Sequence, residues 1–525
     1  MSRKYTIALA VAALAVLGYR QLHASRDGDA TAKDGQLKPA VADRTAASTL
    51  RHYGRIAFKP CVLSNAQGYA PVEAQCATYE VPEDRANPQG RKIGLNIAWL
   101  PAESKGGGAA DPIFFLAGGP GQAVTQNATP IDMALDSARK QRDIILIDQR
   151  GTGRSNPLDC RDAAGAPLEL DETKAFDDGA LSAYVAQCLK SLEGRADPRF
   201  YTTGDAIADL DAVRAALGVD KINVIGSSYG TRVAQQYAMH YPQHARSVVL
   251  DGVAPNRLVV GAEFATQLQA ALRKQDAQCA KVPACKARYD GGGQDLIARL
   301  STLKVRLAAN PVAVSYRDPD THELKQDTLT ADTLVGLTHG VSYVPQLSSL
   351  LPLLVSEAEQ GRYESLMAIA KFWSNQVGDQ LNRGMQWSVI CAEDAPRYQP
   401  DPADGGTVLG PDMARMFFAA CKQWPRGQVA SDFTRPFKTD LPVLVISGEL
   451  DPVTPPVYGD EVVKTLPHGR HLVLRGQGHG TINLGCMPKL LGRFFETADA
   501  KALDAKCLDS LNYVPPFTSF NGWEP

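Results

Sequence analysis

The chain has 525 residues, of which 44% are hydrophobic and 21% charged, an ordinary globular composition. This composition excludes fibrous, collagen-like and wholly disordered proteins. The 55 basic and 57 acidic residues give a net charge of −2. The chain therefore lacks the excess of basic residues that indicates a nucleic-acid partner. By length alone we expect about three domains.

The N-terminal 24 residues have the pattern of an export signal. Arg3 and Lys4 form a basic start, and the apolar run at 7–17 is shorter than the roughly 20 residues of a membrane-spanning helix. We therefore predict a signal peptide at 1–24 and a polar linker at 25–49, with an uncleaved N-terminal anchor as the alternative. The mature protein is then expected in the periplasm or outside the cell, with no membrane partner.

Ten cysteines follow this segment, and an even number is typical of disulfide-bonded exported proteins. Sequence alone does not fix their connectivity. We favour the pairing of neighbours along the chain, because each pair then closes a short local loop: 61–76, 160–188, 279–285, 391–421 and 486–507. No CxxC motif occurs, which disfavours zinc ribbons and thioredoxin-like redox chemistry.

Short apolar runs bounded by turn residues predict strands, at 93–100, 112–116, 143–147, 222–225, 247–250, 442–446 and 472–474. Helical patterns lie between some of them, at 205–217 and 231–240. This alternation predicts an α/β fold with a mostly parallel central sheet. Between about 256 and 435 the strand signal fades, and helical stretches near 258–282 and 345–373 predict a mostly helical insertion.

A candidate nucleophile lies in Gly-Ser-Ser-Tyr-Gly at 226–230, which matches G-x-S-x-G with Ser228 at its centre. A strand precedes the motif and a helix follows it, the context in which a sharp turn presents a nucleophilic serine. The N-terminus of that helix offers free N–H groups to a developing oxyanion. Ser227 lies off the centre of the turn and is the weaker candidate.

A serine hydroxyl needs a base, and this type of site places the acid and then the histidine after the serine in the chain. His479 follows the last predicted strand, in Gly-Gln-Gly-His-Gly, and Asp451 follows the strand before it. Asp251 also follows a strand and remains an alternative acid. No HExxH motif occurs and Pro242 interrupts the histidine pair at 240 and 244, so we predict no metal and no cofactor.

Gly-Gly-Pro-Gly at 118–121 follows the strand at 112–116. Glycines there let backbone N–H groups approach a substrate carbonyl oxygen, and the residue after the nucleophile supplies a second donor. We therefore predict that the amides of Gly119 and Tyr229 form an oxyanion hole.

Together with DQRGTGRS at 148–155, GSSYGTR at 226–232, SGELDPVTPP at 447–456 and GQGHG at 476–480, this loop gives a family resemblance. The chain resembles the prolyl aminopeptidase and tripeptidyl aminopeptidase group of α/β-hydrolases, and above all its secreted tripeptidyl aminopeptidase-like branch. The resemblance covers about residues 50–510. Many relatives carry histidine before Gly-Gly-Pro-Gly, whereas this chain has Ala117, which leaves the shape of the loop and the substrate preference open.

The resemblance implies an α/β-hydrolase core at 50–255 and 436–525, with a helical cap at 256–435. It implies Ser228 as nucleophile, Asp451 as acid and His479 as base. Acidic residues of the cap bind the substrate's α-ammonium group in this family, and Glu393 and Asp394 are the candidates here.

The expected function is a secreted or periplasmic serine exopeptidase that cleaves peptide bonds near a free N-terminus, so the expected partner is a peptide. Whether one residue or three are removed stays open. The alternative is a secreted carboxylesterase or lipase with the same triad, and a catalytically silent fold used for binding is the third possibility.

Overall fold

The computed structural model describes residues 50–64, 69–104, 108–162, 164–168, 178–289, 295–377 and 381–522. The predicted signal peptide and linker at 1–49 lie outside these ranges. Within them, no helix combines the length and the hydropathy that a membrane span requires.

The strands follow the apolar runs of the sequence. In chain order they are β1 (Arg51–Tyr53), β2 (Ile56–Leu63), β3 (Val72–Pro82), β4 (Lys92–Leu100), β5 (Ile113–Leu116), β6 (Ile144–Ile147), β7 (Ile222–Ser227), β8 (Ala245–Asp251), β9 (Val312–Arg317), β10 (Leu324–Leu329), β11 (Val443–Gly448) and β12 (Gly469–Leu474). All except β9 and β10 join one sheet in the order β1-β2-β3-β4-β6-β5-β7-β8-β11-β12.

The half of the sheet from β6 to β12 is parallel. Its short central strands are apolar and buried at every position, as in β5 and β6, because helices cover both faces. The sequence prediction of a mostly parallel α/β sheet is confirmed. Strands β1 to β3 were not predicted, and they pair antiparallel at the outer edge, where β2 has many exposed residues.

The helices are α1 (Ala128–Arg139), α2 (Asp178–Leu192), α3 (Thr203–Leu217), α4 (Tyr229–His240), α5 (Phe264–Cys279), α6 (Pro283–Tyr289), α7 (Leu296–Ala309), α8 (Ala331–Val341), α9 (Pro345–Ser348), α10 (Leu351–Glu359), α11 (Glu364–Val377), α12 (Arg383–Glu393), α13 (Asp412–Ala419), α14 (Pro456–Val463) and α15 (Met487–Thr497). Helices α1 and α15 pack on one face of the sheet. Helices α2, α3, α4 and α12 pack on the other.

The segment between β8 and β11 builds a further apolar core of its own, from α5, α7, α8, α10 and α11. It is mostly helical, as the sequence predicts, but it also contains the antiparallel pair β9 and β10. That pair was missed because most of its residues are exposed, which leaves few apolar positions to form a pattern. Helices α12 and α13 differ from the rest of this segment, since side chains of both join the core against the central sheet.

Five disulfide bonds join the cysteines that are neighbours along the chain: Cys61–Cys76, Cys160–Cys188, Cys279–Cys285, Cys391–Cys421 and Cys486–Cys507. The local pairing favoured from the sequence is therefore the one that forms. No cysteine in the described ranges is left unpaired. Disulfides of this number are typical of proteins that fold in an oxidising compartment.

Candidate active site

Ser228 occupies the sharp turn between β7 and α4. Its backbone is in an unusual conformation, with φ 56° and ψ −125°, which few non-glycine residues adopt. The flanking glycines make the turn possible. A Cβ at Gly226 would lie 2.2 Å from the Gly230 carbonyl oxygen, and a Cβ at Gly230 would lie 2.2 Å from the Leu116 carbonyl oxygen. The G-x-S-x-G motif thus has the strained geometry of a nucleophile elbow.

Asp451 and His479 follow neighbouring parallel strands, β11 and β12, and so meet at the same edge of the sheet. The Asp451 Oδ2 lies 2.7 Å from the His479 Nδ1. The N–H groups of Val453 and Thr454 donate to the other carboxylate oxygen, at 2.9 and 2.8 Å. The Thr454 hydroxyl donates to Asp451 Oδ2 at 2.8 Å and lies 3.0 Å from His479 Nδ1.

Burial and charge act in opposite directions on this pair. Burial alone raises the pKa of Asp451, but the imidazole of His479 and the N–H donors outweigh it and hold that pKa below its usual value. Burial alone lowers the pKa of His479, but the carboxylates of Asp451 and Asp251 outweigh it and raise that pKa. The carboxylate therefore stabilises a positively charged imidazole, which is what an acid partner of a base must do.

The loop that carries His479 rests on the segment between β8 and β11. The His479 N–H donates to the Tyr343 carbonyl oxygen at 2.9 Å, and the two rings meet edge to face with centroids 5.2 Å apart. A Cβ at Gly478 would lie 2.3 Å from the same carbonyl oxygen, so the glycine permits this close contact.

The glycine loop after β5 lies directly against Ser228. A Cβ at Gly118 would lie 2.9 Å from the Ser228 Cβ. Gly119 has φ 109°, a conformation that favours glycine, and lines the same cavity as Ser228. Tyr229 is the first residue of α4, where backbone N–H groups have no partner within the helix. The oxyanion role of Gly119 and Tyr229 stays a prediction.

A cavity of about 630 Å³ opens on Ser228 and His479. Its walls are mainly apolar and aromatic, with Trp373 and Trp387 among them, and helix α8 contributes residues along most of its length. The volume is within the range of small-molecule and short-peptide sites. Asp327 and Asp332 are the carboxylates among the described residues that line it.

Comparison with known proteins identifies the fold and several similar proteins. A family model described as alpha/beta hydrolase fold matches residues 111–284, and one described as TAP-like protein matches residues 406–507. This chain has the α/β-hydrolase fold. It is similar to the serine protease Hip1 of Mycobacterium tuberculosis, with 26% identity over 86% of this chain and 91% of that protein. It is also similar to the tripeptidyl aminopeptidase of Streptomyces coelicolor, with 29% identity over 36% of each chain.

Among solved structures, the proline iminopeptidase of Mycobacterium smegmatis aligns at 17% identity and a TM-score of 0.35, over 81% of this chain and all of that one. The named relatives are serine proteases and aminopeptidases, so the hydrolase is an enzyme of the serine hydrolase type.

The hydrolase does not bring Glu393 and Asp394 to the cavity. Both carboxylates are buried, and Asp394 pairs with Arg232 at 3.1 Å and Arg397 at 2.9 Å. Glu393 accepts the Thr203 N–H at 2.6 Å and the Thr203 hydroxyl at 2.9 Å. Burial raises the pKa of Glu393 to about 7.

These contacts explain why the expectation of amine binding does not fit the two residues. Their carboxylates are occupied inside the protein, at the junction of α3, α4 and α12. The sequence could not reveal this, because an acidic pair that follows a tryptophan-containing helix has the same pattern whether it faces a ligand or a buried arginine.

Three residues of the site were missed from the sequence: Thr454, Tyr343 and Asp332. Thr454 lies within the motif that identified Asp451, and its spacing of three residues from the acid was an available signal. No comparable signal marked the other two, because a backbone carbonyl contact and a position on a cavity wall both depend on the tertiary fold. In the described part of the chain, no cluster of three possible metal ligands occurs.

Proposed function

We propose that this hydrolase is a serine exopeptidase that releases short peptides from free N-termini, with Ser228, Asp451 and His479 as its triad. The observation that carries the proposal is the shared cavity: the elbow serine and a histidine bonded to a buried carboxylate open on the same enclosed space. The named relatives, a serine protease and a tripeptidyl aminopeptidase, support the peptidase class.

In the proposed mechanism, His479 takes the Ser228 proton as the hydroxyl oxygen attacks the substrate carbonyl carbon. The amides of Gly119 and Tyr229 donate to the resulting oxyanion. His479 then protonates the leaving amine, and a water molecule activated by the same imidazole hydrolyses the acyl-enzyme. Asp451 orients the imidazole and stabilises its positive form.

The segment at 256–435 is proposed to act as a cap. Its helices supply most of the cavity wall opposite the nucleophile, including residues of α8 and α11. An enclosed site of this kind admits the end of a peptide chain more readily than its middle, which favours exopeptidase activity. The cores at 50–255 and 436–525 then form the hydrolase domain on either side of the cap.

Asp332 is the proposed partner of the substrate's free amine. It lies in the first turn of α8, whose other end reaches the triad through His339, Tyr343 and the His479 ring. From Asp332 to His339 the helix rises about 10 Å, at about 1.5 Å per residue. Two further ring contacts, with centroids 5.3 and 5.2 Å apart, lie between His339 and the His479 ring, so this path exceeds the helix rise alone. Three extended peptide residues span roughly 10 Å, at roughly 3.3 Å each.

A path of this length is out of reach for the amine of a single residue, and it favours removal of a longer N-terminal segment, such as three residues. The amine of a single residue would lie next to the scissile carbonyl, where the cavity wall is formed by Gly119, Tyr229, Val453, Thr454 and neighbouring groups without a carboxylate among the described lining residues. A cationic amine in that position would lose hydration without gaining a charged partner. Asp327 is less suited than Asp332 because it already pairs with Lys371 at 2.7 Å.

Export to the periplasm or the cell exterior is part of the proposal. Five disulfide bonds support an oxidising compartment. Sequencing the N-terminus of the secreted protein would test the predicted cleavage after residue 24.

The first experiment compares aminoacyl-, dipeptidyl- and tripeptidyl-p-nitroanilides with their N-acetylated forms and with p-nitrophenyl esters. We expect the highest kcat/KM for free-amine tripeptidyl substrates, and loss of all turnover in S228A. Turnover of esters alone would support the carboxylesterase alternative instead.

The second experiment replaces Asp332, the proposed partner of the substrate's amine. D332N is expected to raise KM for free-amine tripeptidyl substrates and to leave N-acetylated ones unchanged. D412N is the matched control, since Asp412 is a nearby carboxylate that pairs with Arg415 and does not line the cavity. Equal changes of KM in D332N and D412N would show that Asp332 does not bind the substrate's amine.

A further inference from the structure

Asp251 is a second buried carboxylate beside the triad. It ends β8, between the nucleophile strand and the strand that leads to Asp451. Its side chain accepts the Thr481 hydroxyl at 2.6 Å and the Thr481 N–H at 3.1 Å. Its backbone carbonyl accepts the Ser228 N–H at 2.8 Å. One residue thus holds both the nucleophile turn and the loop that carries the base.

Among the residues that the structure describes, no arginine or lysine pairs with the Asp251 carboxylate. The charged or titratable groups that face it are His479 on the loop after β12 and Asp451 after β11. His479 in turn faces Asp451, Asp251, His339 on α8 and Tyr343. His339 is buried, and burial lowers its pKa to about 4, so it adds no positive charge near neutral pH.

The two groups therefore influence each other's ionisation. Burial raises the pKa of Asp251, while its bonds from Thr481 and the charge of His479 oppose that rise. The chain directly after Asp251 lies against the imidazole, since a Cβ at Gly252 would be 3.1 Å from the His479 Cε1. A positive imidazole forms when His479 accepts the serine proton, and the nearby Asp251 carboxylate stabilises that form without bonding to the ring.

We propose that Asp251 is a positioning residue for the base: it fixes the His479 loop through Thr481 and supplies a second negative charge to the imidazolium. This inference rests on the proposed triad. The Asp251 side chain thus has two proposed functions, a hydrogen bond that anchors Thr481 and a negative charge. T481V removes the first and D251N removes the second.

The test follows the rate at which a fluorophosphonate probe labels Ser228 as a function of pH. This reaction needs the serine and its base but no particular peptide, so it is independent of the proposed exopeptidase specificity. D251N removes the charge and keeps the shape. T481V removes the hydroxyl anchor and keeps the charge, and T481S restores the anchor.

We expect D251N to slow labelling and to move its acid limb to lower pH, because the imidazole loses a group that raises its pKa. T481V is expected to slow labelling with the acid limb in place, and T481S to recover the wild-type rate. A D251N profile that is slower but not displaced would overturn the charge role, and a T481V enzyme with the wild-type rate would overturn the anchor.

S228A separates these results from a failure of the proposed triad. If S228A is labelled like the wild type, the nucleophile assignment itself is wrong. If only the peptide-length preference differs from the expectation, the Asp251 results stand.

Discussion

Substitution of Gly230 by alanine is the sharpest test of the nucleophile turn. Gly230 is the second residue of α4, and a Cβ there would lie 2.2 Å from the Leu116 carbonyl oxygen and 2.7 Å from that of Ala117. Ordinary contact begins at 3.4 Å, so the end of β5 and the start of α4 must separate by about 1.2 Å.

That separation acts on the proposed oxyanion hole from both sides. The start of α4 carries Ser228 and the Tyr229 amide, and the end of β5 leads into the loop with Gly119. A misplacement of about 1 Å in a catalytic site can cost about 10²-fold in rate. We therefore expect kcat/KM of G230A to fall by about 100-fold, mainly through kcat, on esters and nitroanilides alike.

Gly204 provides the matched control, since it is also the second residue of its helix, α3. A Cβ there meets only the Thr202 hydroxyl oxygen, at an ordinary 3.5 Å. G204A should therefore keep wild-type kcat/KM, and thermal unfolding of both variants would separate catalytic loss from loss of folded protein. A G230A enzyme with wild-type kcat/KM would refute the reasoning.

Three further predictions follow from the site. T454V removes a hydrogen bond to the buried Asp451 carboxylate, worth about 1.5–3 kcal/mol, so kcat should fall by about 10- to 150-fold with KM unchanged in steady-state assays. E393Q should change free-amine and N-acetylated substrates equally, because Glu393 contacts Thr203 and not the cavity; a selective KM rise for free amines would contradict this. Because the pKa of His479 is raised and the base must be neutral, the acid limb of kcat/KM should lie above pH 6.5, and D451N should move it lower.

The parallel part of the fold was predictable because burial on both faces leaves continuous apolar runs such as Ile144–Ile147. The antiparallel edge of the sheet was harder to predict from the sequence. Strand β2 carries lysine, proline and cysteine on a largely exposed face, so its pattern does not stand out from a loop. Helix α3 begins at Thr203, two residues before the predicted pattern at 205–217, because Thr202 forms a capping box with Asp205.

The triad candidates were predictable because each lies in a motif directly after its own strand. The proposed amine site was not predictable in this way. Glu393 is found through its neighbours in sequence, but its partners Thr203 and Arg232 are more than 150 residues away along the chain. Asp332 carries no motif, and only the packing of α8 along the cavity marks it as a candidate.

The bond from His479 to the Tyr343 carbonyl oxygen limits how this enzyme can be re-engineered. An exchange of the whole segment between β8 and β11 with that of a relative, made to transfer specificity, would also exchange the support of His479, the proposed general base. A chimera that keeps the native backbone around Tyr343 and replaces only the outer part of α8 avoids that coupling. The segment between β8 and β11 thus contains both residues that support His479 and residues that line the cavity. Its two junctions with the sheet do not separate these two roles.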